Sequence, residues 1–370
     1  MYIDTLSLSQ FRSYEQLSLP LNGQSLYLFG PNGAGKTNIL EAISVLNPGR
    51  GLRGAGFSDL GRKVLGEATS HPWAVALKLS SSDDDMALGT GADPRDPSKR
   101  LVRLDGQSVT PARLLDHLRL VWLTPAQDRI FIEARSERLK FFDRLVFADQ
   151  PSHAKAVLTY EKTLRERFKL LTQGPMDEAW LDVLEHRLCA SGLEIMAARQ
   201  TTLTDLQGEI NAHQSAFPKA DLKLISPFEL SEADLATQLG EGFKKSRSRD
   251  AAAGRSLFGP HRFDLEVMHR DKARHAKDGS TGEQKALVLN MILAQGARLT
   301  RQQNAPKPIL LLDEVAAHLD PLRRHALFDE TTHLGLQTLY TGTDAHLFDG
   351  LKSRALGIRI EASQAIEFLR

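Results

Sequence analysis

The sequence predicts an α/β fold whose chain is interrupted by a long helical segment, and three stretches lead to this prediction. Strand-like residues 26–29 run into a glycine-rich loop and then into an apolar helical stretch, 38–45. A second apolar strand, 308–312, ends in two carboxylates. Between about residues 128 and 245 the hydrophobic pattern is almost wholly helical. We therefore expect an α/β domain built from both ends of the chain, with a helical arm inserted between them.

Short apolar or alternating runs bounded by turn residues predict the other strands of the first part. These runs are residues 2–9, 73–80, 101–109 and 120–123. The third run bends at Asp105-Gly106, which is a strong hairpin signal. Thr110-Pro111 then begins a short helix as its cap and first-turn proline. Residues 1–127 are expected to form the first part of the α/β domain.

The helical segment is expected to form a separate domain over residues 128–245. Its longest helix places Trp180, Leu184 and Leu188 on one face, and it would extend about 50 Å if continuous from Glu178 to Ile210, at about 1.5 Å per residue. Sustained heptads are absent from the sequence, so a long coiled coil is not expected. Strand-like character resumes at residues 262–268, and residues 246–370 are expected to complete the α/β domain.

Bulk composition restricts the class of protein. The 370 residues include 47 Lys and Arg against 46 Asp and Glu, a formal net charge of +1, so any surface that binds nucleic acid must be a local basic cluster. The sequence has no apolar run of the roughly 20 residues that span a membrane and no N-terminal export signal. The single cysteine, Cys189, suits a cytoplasmic protein without internal disulfides. The histidines lack metal-ligand spacing.

The glycine-rich loop fits the phosphate-binding pattern G-x-x-x-x-G-K-[ST] and has the required strand before it and helix after it. Glycines let the backbone N–H groups approach a polyphosphate, and the helix N-terminus adds positive charge. Lys36 would reach the β- and γ-phosphates, and the Thr37 hydroxyl would bind Mg²⁺. The predicted nucleotide-binding residues are Gly30, Pro31, Asn32, Gly33, Ala34, Gly35, Lys36, Thr37 and Asn38.

Two further segments suit the same chemistry. Asp313 and Glu314 end the strand at 308–312, where Asp313 would hold Mg²⁺ and Glu314 would deprotonate the attacking water. Ser280 and Thr281 precede an apolar helix, whose N-terminus would form a second anion site. One triphosphate does not need two such sites, so the second is expected to face the nucleotide of another copy in a head-to-tail dimer. An ordinary capped helix explains the same residues and is compatible with that function.

These motifs resemble the ABC-type ATPase heads of the SMC-like group, and within it the RecF family of bacterial recombination mediators. Ser280, Thr281, Gly282 and Glu283 match the signature motif, and Asp320 ends the D-loop, Ala317 to Asp320. Gln127 is a candidate for the Q-loop glutamine. The other stretches that carry the resemblance are Phe11 to Tyr14, Gly30 to Leu40, Pro48 to Arg53, Phe142 to Arg144, Gly259 to Arg262, Ser280 to Lys285 and Thr341 to Asp344.

The resemblance implies an ATPase with catalytic Lys36 and Glu314, with ATP and Mg²⁺ as cofactors. It also implies an ATP-dependent homodimer that binds double-stranded DNA and single-strand/double-strand junctions near gaps. The implied partners are RecR- and RecO-like mediators and a recombinase, in repair during the SOS response. Two departures from the transporter-type pattern are Gly279 in place of leucine and Thr343 in place of the switch histidine. The loss of that histidine implies slow turnover.

Two other classes of protein are alternatives. An ATPase subunit of an ABC transporter shares the motifs, but such heads usually have a far shorter stretch between Thr37 and Ser280. A GTPase would need an N-K-x-D motif, which the sequence lacks. For DNA contact the candidate segments are residues 50–53, which suit an ordinary surface loop equally well, and residues 244–255.

Overall fold

The computed structural model divides the chain into two compact units, which are described separately. The head unit comprises residues 1–128, 212–218 and 280–370, and the arm unit comprises residues 129–211 and 219–279. The structure describes residues 1–64, 66, 71–81, 84–173, 177–231, 234–303 and 305–369.

The strands follow the period-two and apolar runs of the sequence. In chain order they are β1 (Tyr2–Phe11), β2 (Tyr14–Pro20), β3 (Ser25–Phe29), β4 (Ala74–Ser80), β5 (Asp85–Ala92), β6 (Arg100–Leu104), β7 (Gln107–Ser108), β8 (Leu120–Leu123), β9 (Ala220–Ile225), β10 (Asp264–His269), β11 (Arg274–His275), β12 (Ile309–Leu312), β13 (Thr338–Gly342), β14 (Ala355–Glu361) and β15 (Gln364–Leu369).

The α-helices are α1 (Lys36–Ser44), α2 (Arg135–Asp149), α3 (Pro151–Thr172), α4 (Glu178–Ala212), α5 (Leu235–Ala253), α6 (Thr281–Thr300) and α7 (Pro321–His333). Among them, α3 begins at a proline and α6 and α7 begin at side-chain caps, and both α1 and α6 are mostly buried. The single long helix predicted from Glu178 onward is confirmed by α4, which runs for 35 residues. Within the described parts of the chain, none of these helices has the length and apolar character needed to cross a membrane.

A mainly parallel sheet in the head unit positions the candidate site. Its strand order is β15-β14-β3-β13-β12-β8, and only β15 runs antiparallel to its neighbour. The strands are apolar because both faces are covered, as in other parallel sheets. In register, Phe29 of β3 lies opposite Gly342 of β13, and Leu312 of β12 lies opposite Tyr340. The carboxyl ends of β3, β13, β12 and β8 therefore meet at one edge of the sheet, which is where α/β sheets bind ligands.

An antiparallel sheet, β2-β1-β4-β5-β6-β7, completes the head unit. Side chains from β1 and β4 join those of α1 and the parallel sheet in one hydrophobic core, which contains Leu6, Leu28, Ile43 and Leu77. Burial of such side chains stabilises the fold by about 1.5–3 kcal/mol each. Since α1 is fixed in this core, the loop before it is held firmly against the end of β3.

The arm unit contains α2, α3, α4 and α5 and a small antiparallel sheet, β11-β10-β9. Its core includes Tyr160, Leu188 and Phe243. Arg167 is 0% exposed and donates to Glu185 at 2.9 Å and to Asp250 at 2.6 Å. This buried charge is tolerated because both of its carboxylate partners are present.

The structure corrects the prediction of an almost wholly helical segment between residues 128 and 245. Residues 220–225 form β9, which pairs antiparallel with β10, with Ala220 opposite His269 and Ile225 opposite Asp264. Because β10 and β11 follow residue 245, that pairing keeps the chain in the arm unit as far as Gly279. The second unit boundary in the structure thus differs from the predicted one at residue 245.

Candidate nucleotide-binding site

The phosphate loop lies between β3 and α1, and its backbone requires glycine at two positions. Gly30 has φ 142°, and a Cβ there would lie 2.1 Å from the Ile360 carbonyl oxygen of β14. Gly35 has φ 108°, and a Cβ there would lie 2.7 Å from the Tyr14 hydroxyl. Left-handed backbone and close approach both exclude a side chain. The loop is therefore drawn tightly over the end of the sheet, and α1 begins at Lys36.

Lys36 lies inside this loop and is only 4% exposed. Its Nζ donates to the carbonyl oxygens of Gly30 at 2.8 Å and of Pro31 at 2.9 Å. Burial lowers the pKa of Lys36, while the nearby carboxylates of Glu314 and Asp313 act in the opposite direction. The ammonium group of Lys36 thus interacts electrostatically with the carboxylates of Glu314 and Asp313.

Asp313, which follows β12, connects this strand to α1 and β13. Its Oδ1 accepts from the Thr37 hydroxyl at 2.8 Å and from the Thr341 hydroxyl at 2.7 Å. Because β12 pairs with β13 in parallel register, Asp313 follows Leu312 directly beside Thr341. Burial raises the pKa of Asp313, and the two hydroxyl hydrogen bonds oppose that rise. The carboxylate is held against the first residues of α1.

Glu314 follows at the end of β12 in a left-handed conformation, with φ 52°. For a residue with a side chain this conformation costs on the order of 1–3 kcal/mol, and such residues cluster at functional sites. The backbone N–H of Glu314 donates to the Thr341 hydroxyl at 2.9 Å, which fixes the turn. The half-buried Glu314 side chain remains within electrostatic range of Lys36.

The oxygen atoms of Thr37 and Asp313 suit Mg²⁺. They lie 2.8 Å apart and are hard oxygen donors, which this cation prefers. No cluster of three or more His, Cys, Asp or Glu side chains that could hold a metal occurs in the described part of the chain. Mg²⁺ does not need one, because it usually binds one or two protein oxygens together with phosphates and water.

A buried carboxylate supports the α1 side of the loop. Glu41 is 0% exposed and accepts from Arg12 at 2.9 and 2.6 Å and from Arg53 at 3.1 Å. Arg53 also donates to the Asn38 side-chain oxygen at 2.8 Å, and Asn38 in turn donates to the Ser13 hydroxyl at 2.8 Å. The segment at residues 50–53 therefore reaches the edge of the phosphate loop through Arg53, while Arg50 is exposed.

The signature residues lie at the N-terminus of α6. Ser280 is the N-cap: its hydroxyl accepts from the Glu283 N–H at 3.4 Å, and Glu283 accepts from the Ser280 N–H at 2.7 Å. This reciprocal pair confirms the predicted capped helix. Ser280, Thr281 and Gly282 are exposed, although residues 284–299 of the same helix are all buried. The rigid helix thus presents its N-terminal end at the surface of the head unit.

Two predicted site residues occupy local capping positions. Asp320 is exposed and caps α7 by accepting from the Arg323 N–H at 2.9 Å. Gln127 is buried directly after β8, and its side-chain oxygen accepts from the Thr124 N–H at 3.3 Å. In the described residues neither side chain hydrogen-bonds to Lys36, Thr37 or Asp313. Their D-loop and Q-loop roles stay predictions.

Thr341 is the site residue that the sequence analysis missed. It appeared there only within the stretch Thr341 to Asp344, without a role. In the structure its hydroxyl donates to Asp313 and accepts from the Glu314 N–H, so it orients both acidic residues. The sequence signal for this role is a hydroxyl residue at the carboxyl end of a strand. It can be recognised only when the strand order shows that this strand, β13, lies beside β12.

We predict that Thr341→Val lowers the ATP hydrolysis rate by about tenfold and raises the Mg²⁺ concentration needed for half-maximal rate. Losing a hydrogen bond to a charged group costs about 1.5–3 kcal/mol and frees Asp313 to turn. Steady-state hydrolysis over a Mg²⁺ titration measures both effects. Thr338→Val on the same strand is the matched control, because the described hydrogen bonds of its hydroxyl, to the Leu336 carbonyl oxygen at 3.3 Å and to the Tyr340 side chain, reach neither Asp313 nor Glu314. Equal rates in the two variants would reject a positioning role for Thr341.

Comparisons with known proteins identify the family. A family model described as RecF/RecN/SMC N terminal domain matches residues 2–365. The DNA replication and repair protein RecF of Caulobacter sp. (strain K31) is 52% identical over 374 residues, covering 96% of this chain and 95% of the relative.

Solved structures agree with that family at the level of the fold. The recombination mediator protein RecF-ATP in the RecFOR pathway matches with a TM-score of 0.81 at 22% identity, covering 100% of this chain and 98% of that one. The SmcHead bound to the C-winged helix domain of ScpA matches with a TM-score of 0.54 at 17% identity, covering 100% and 98%. The α/β fold is that of ABC-type ATPase heads with a helical arm, as predicted. By the extent of these matches, the chain belongs to the RecF family of DNA replication and repair proteins.

Proposed function

We propose that this protein is a slow ATPase that dimerises head to tail on ATP, closes on duplex DNA near single-strand gaps and assists recombinase loading. One observation carries the ATPase part of the proposal. The Thr37 hydroxyl of the phosphate loop bonds to Asp313 at 2.8 Å, which joins a phosphate-binding element to a pair of acidic residues. Family membership supports the DNA part, since the 52% identical relative is a DNA replication and repair protein.

The chemistry follows from the positions of these side chains. The loop N–H groups and Lys36 would bind the β- and γ-phosphates of ATP. Thr37 and Asp313 would hold Mg²⁺, which supplies positive charge that neutralises the phosphate oxygens. Glu314, fixed next to Asp313, would accept the proton of the attacking water. Thr343 cannot act as the histidine found there in transporter-type ATPases, and this supports slow turnover.

The dimer follows from the exposed signature residues. Ser280, Thr281 and Gly282 lie at the N-terminus of a 20-residue helix, which is a favourable site for a phosphate. The phosphate loop of the same unit already has its own helix N-terminus in α1. A second copy related by two-fold symmetry would place each exposed Ser280 against the nucleotide of its partner. ATP binding would then drive dimerisation, and hydrolysis would reverse it.

The partners and the location are part of the same proposal. The matched RecF-ATP structure is described as part of the RecFOR pathway, which supports RecR- and RecO-like mediators and a recombinase as partners, and a cytoplasmic location. The alternative, an ATPase subunit of an ABC transporter, is not favoured because the 52% identical relative is a RecF protein.

A salt titration of duplex affinity, with and without ATP, tests this function. Because the net charge is +1, binding must come from local cations, and a dimer would double their number on one duplex. Log affinity falls with log salt by about 0.9 for each phosphate contact. We predict tighter binding and a roughly twofold steeper slope with ATP, for duplexes of unrelated sequence. Equal affinities and slopes in both states would contradict an ATP-gated clamp.

A further inference from the structure

The cations of the basic segment at residues 244–255 are less available to nucleic acid than the sequence suggests. Three of its cations lie against carboxylates of the arm unit, so their charge is already compensated. These pairs are Lys244 with Asp182 at 3.9 Å, Lys245 with Glu241 at 2.6 Å, and Arg247 with Glu185 at 2.7 Å. A phosphate would have to compete with a carboxylate for each of them. This part of the segment is poorly suited to a polyanion.

Three other arginines of the arm unit have no such partner. Arg135 begins α2, Arg255 follows the end of α5, and Arg262 ends the turn at residues 260–262, which packs against α2. None of the three side chains makes an ion pair with a described residue. The pKa of Arg262 is lowered by burial and then by the charges of Arg135 and Arg255. The guanidinium groups of Arg135 and Arg255 thus both lie within electrostatic range of Arg262.

The carboxylate that acts electrostatically on Arg262 is already engaged. Asp250 lies within electrostatic range of Arg262, but its carboxylate accepts from Arg167 at 2.6 Å and from the Leu257 N–H at 2.8 Å. The carboxylate of Asp250 is therefore held by Arg167 and the Leu257 N–H rather than by Arg262.

The segments that carry Arg255 and Arg262 are fixed to each other by His261. Its Nε2 lies 3.2 Å from the Ser256 carbonyl oxygen, and its Nδ1 lies 2.8 Å from the Tyr160 hydroxyl. A carbonyl only accepts, so Nε2 carries the hydrogen and Nδ1 accepts from Tyr160. The ring is neutral because burial, together with the charges of Arg262 and Arg135, lowers the pKa of His261 to about 4.

The turn is also bound from α4, where Arg199 Nη1 donates to the Pro260 carbonyl oxygen at 2.8 Å. Its backbone and its histidine are thus held by buried hydrogen bonds to two helices. Such a frame orders the backbone beneath Arg255 and Arg262 before any ligand binds, which reduces the entropy lost on binding.

We propose that Arg135, Arg255 and Arg262 form a docking site for the phosphate backbone of nucleic acid on the arm unit. The planar guanidinium binds two phosphate oxygens at once and is weakly hydrated, so three of them suit a chain of phosphates. Phosphate charge would also offset the repulsion that Arg262 experiences from Arg135 and Arg255. The inference rests on the proposed function, which requires DNA contacts, and it assigns those contacts to particular residues.

The test is the triple variant Arg135→Gln, Arg255→Gln, Arg262→Gln, compared with the wild type in duplex affinity over a salt titration with ATP. The matched control is Lys140→Gln, Lys162→Gln, Arg165→Gln. It removes the same charge from the arm unit at cations paired with exposed carboxylates. We expect the triple variant to bind duplex at least about 10-fold more weakly, with a slope shallower by about 0.9 for each lost phosphate contact. The control should bind like the wild type.

Several results would overturn the inference. Wild-type affinity and slope in the triple variant would reject the docking site while leaving the proposed function intact. A wild type that binds no duplex would reject both. Loss of binding to an acidic protein partner, with DNA binding unchanged, would assign the cluster to a protein instead. Arg255→Glu alone changes an exposed side chain after the end of α5, so it tests the site even if the triple variant fails to fold.

Discussion

Lys36→Met is expected to weaken ATP binding by at least about 30-fold and to eliminate measurable hydrolysis. The ammonium group lies inside the phosphate loop, bonded to the Gly30 and Pro31 carbonyl oxygens, in the position from which it would meet the β- and γ-phosphates. Removing one member of a buried, hydrogen-bonded charge pair costs about 2–5 kcal/mol. The cost would appear as weaker binding of the nucleotide, because methionine has a similar length but no charge.

Equilibrium binding of a fluorescent ATP analogue and steady-state phosphate release measure the two effects. Lys78→Met is the control, since it removes a lysine of the head unit that is bonded only to the exposed Asp85 at 3.0 Å and to Asp4 at 3.9 Å. Thermal unfolding of both variants shows whether the head unit remains folded. Normal turnover by Lys36→Met would contradict the assignment of the phosphate loop.

Ser280→Arg is expected to abolish ATP-driven dimerisation while each copy still binds ATP. The side chain lies at the exposed start of α6, and the phosphate loop of the same chain makes no described hydrogen bond to it. A bulky cation there would collide with the partner that brings its nucleotide to this helix. Dimerisation is therefore expected to weaken by about 100-fold or more, since a misplaced charge in an interface costs several kcal/mol.

Sedimentation with and without ATP measures this effect. Ser280→Arg also removes the helix cap, which costs about 1 kcal/mol, so the control must remove the same cap without adding bulk. Ser280→Gly does so and should retain most of the ATP-dependent dimer. Dimers that form normally in Ser280→Arg would contradict a role for α6 in the partner's site.

Local patterns explain why much of the site could be predicted from the sequence. The phosphate loop, the apolar strand before Asp313 and the capping residues of α6 each depend on neighbouring residues, and each forms as expected. The helix from Glu178 was likewise predictable, because its buried face repeats with a single period. The pairing of Asp313 with Thr37 followed from the motifs, although their distance required the fold.

The features that could not be predicted from the sequence depend on contacts between residues far apart in the chain. Thr341 acquires its role only because β13 lies between β3 and β12. Strand β9 is short and lies among helices, and its pairing with β10 overrides the helical surroundings. The basic segment at residues 244–255 appeared available for DNA until the structure placed Asp182 and Glu185 beside it. In each case tertiary contact decides the outcome.

In the proposed dimer, each nucleotide lies between the phosphate loop of one copy and Ser280 of another. ATP hydrolysis by a mixture of Lys36→Met and Ser280→Arg tests it most directly, because each variant alone is expected to be inactive. In the mixed dimer, the intact loop of the Ser280→Arg copy meets the intact Ser280 of the Lys36→Met copy, which completes one site.

The control mixture combines Lys36→Met with Glu314→Gln, which keeps the shape of Glu314 but removes the base. Lys36 and Glu314 serve the same nucleotide from the same chain, as their electrostatic coupling indicates, so no complete site can form. We predict restored hydrolysis in the first mixture and none in the second. Absence of restoration in the first mixture, or equal restoration in both, would contradict a site shared between two copies.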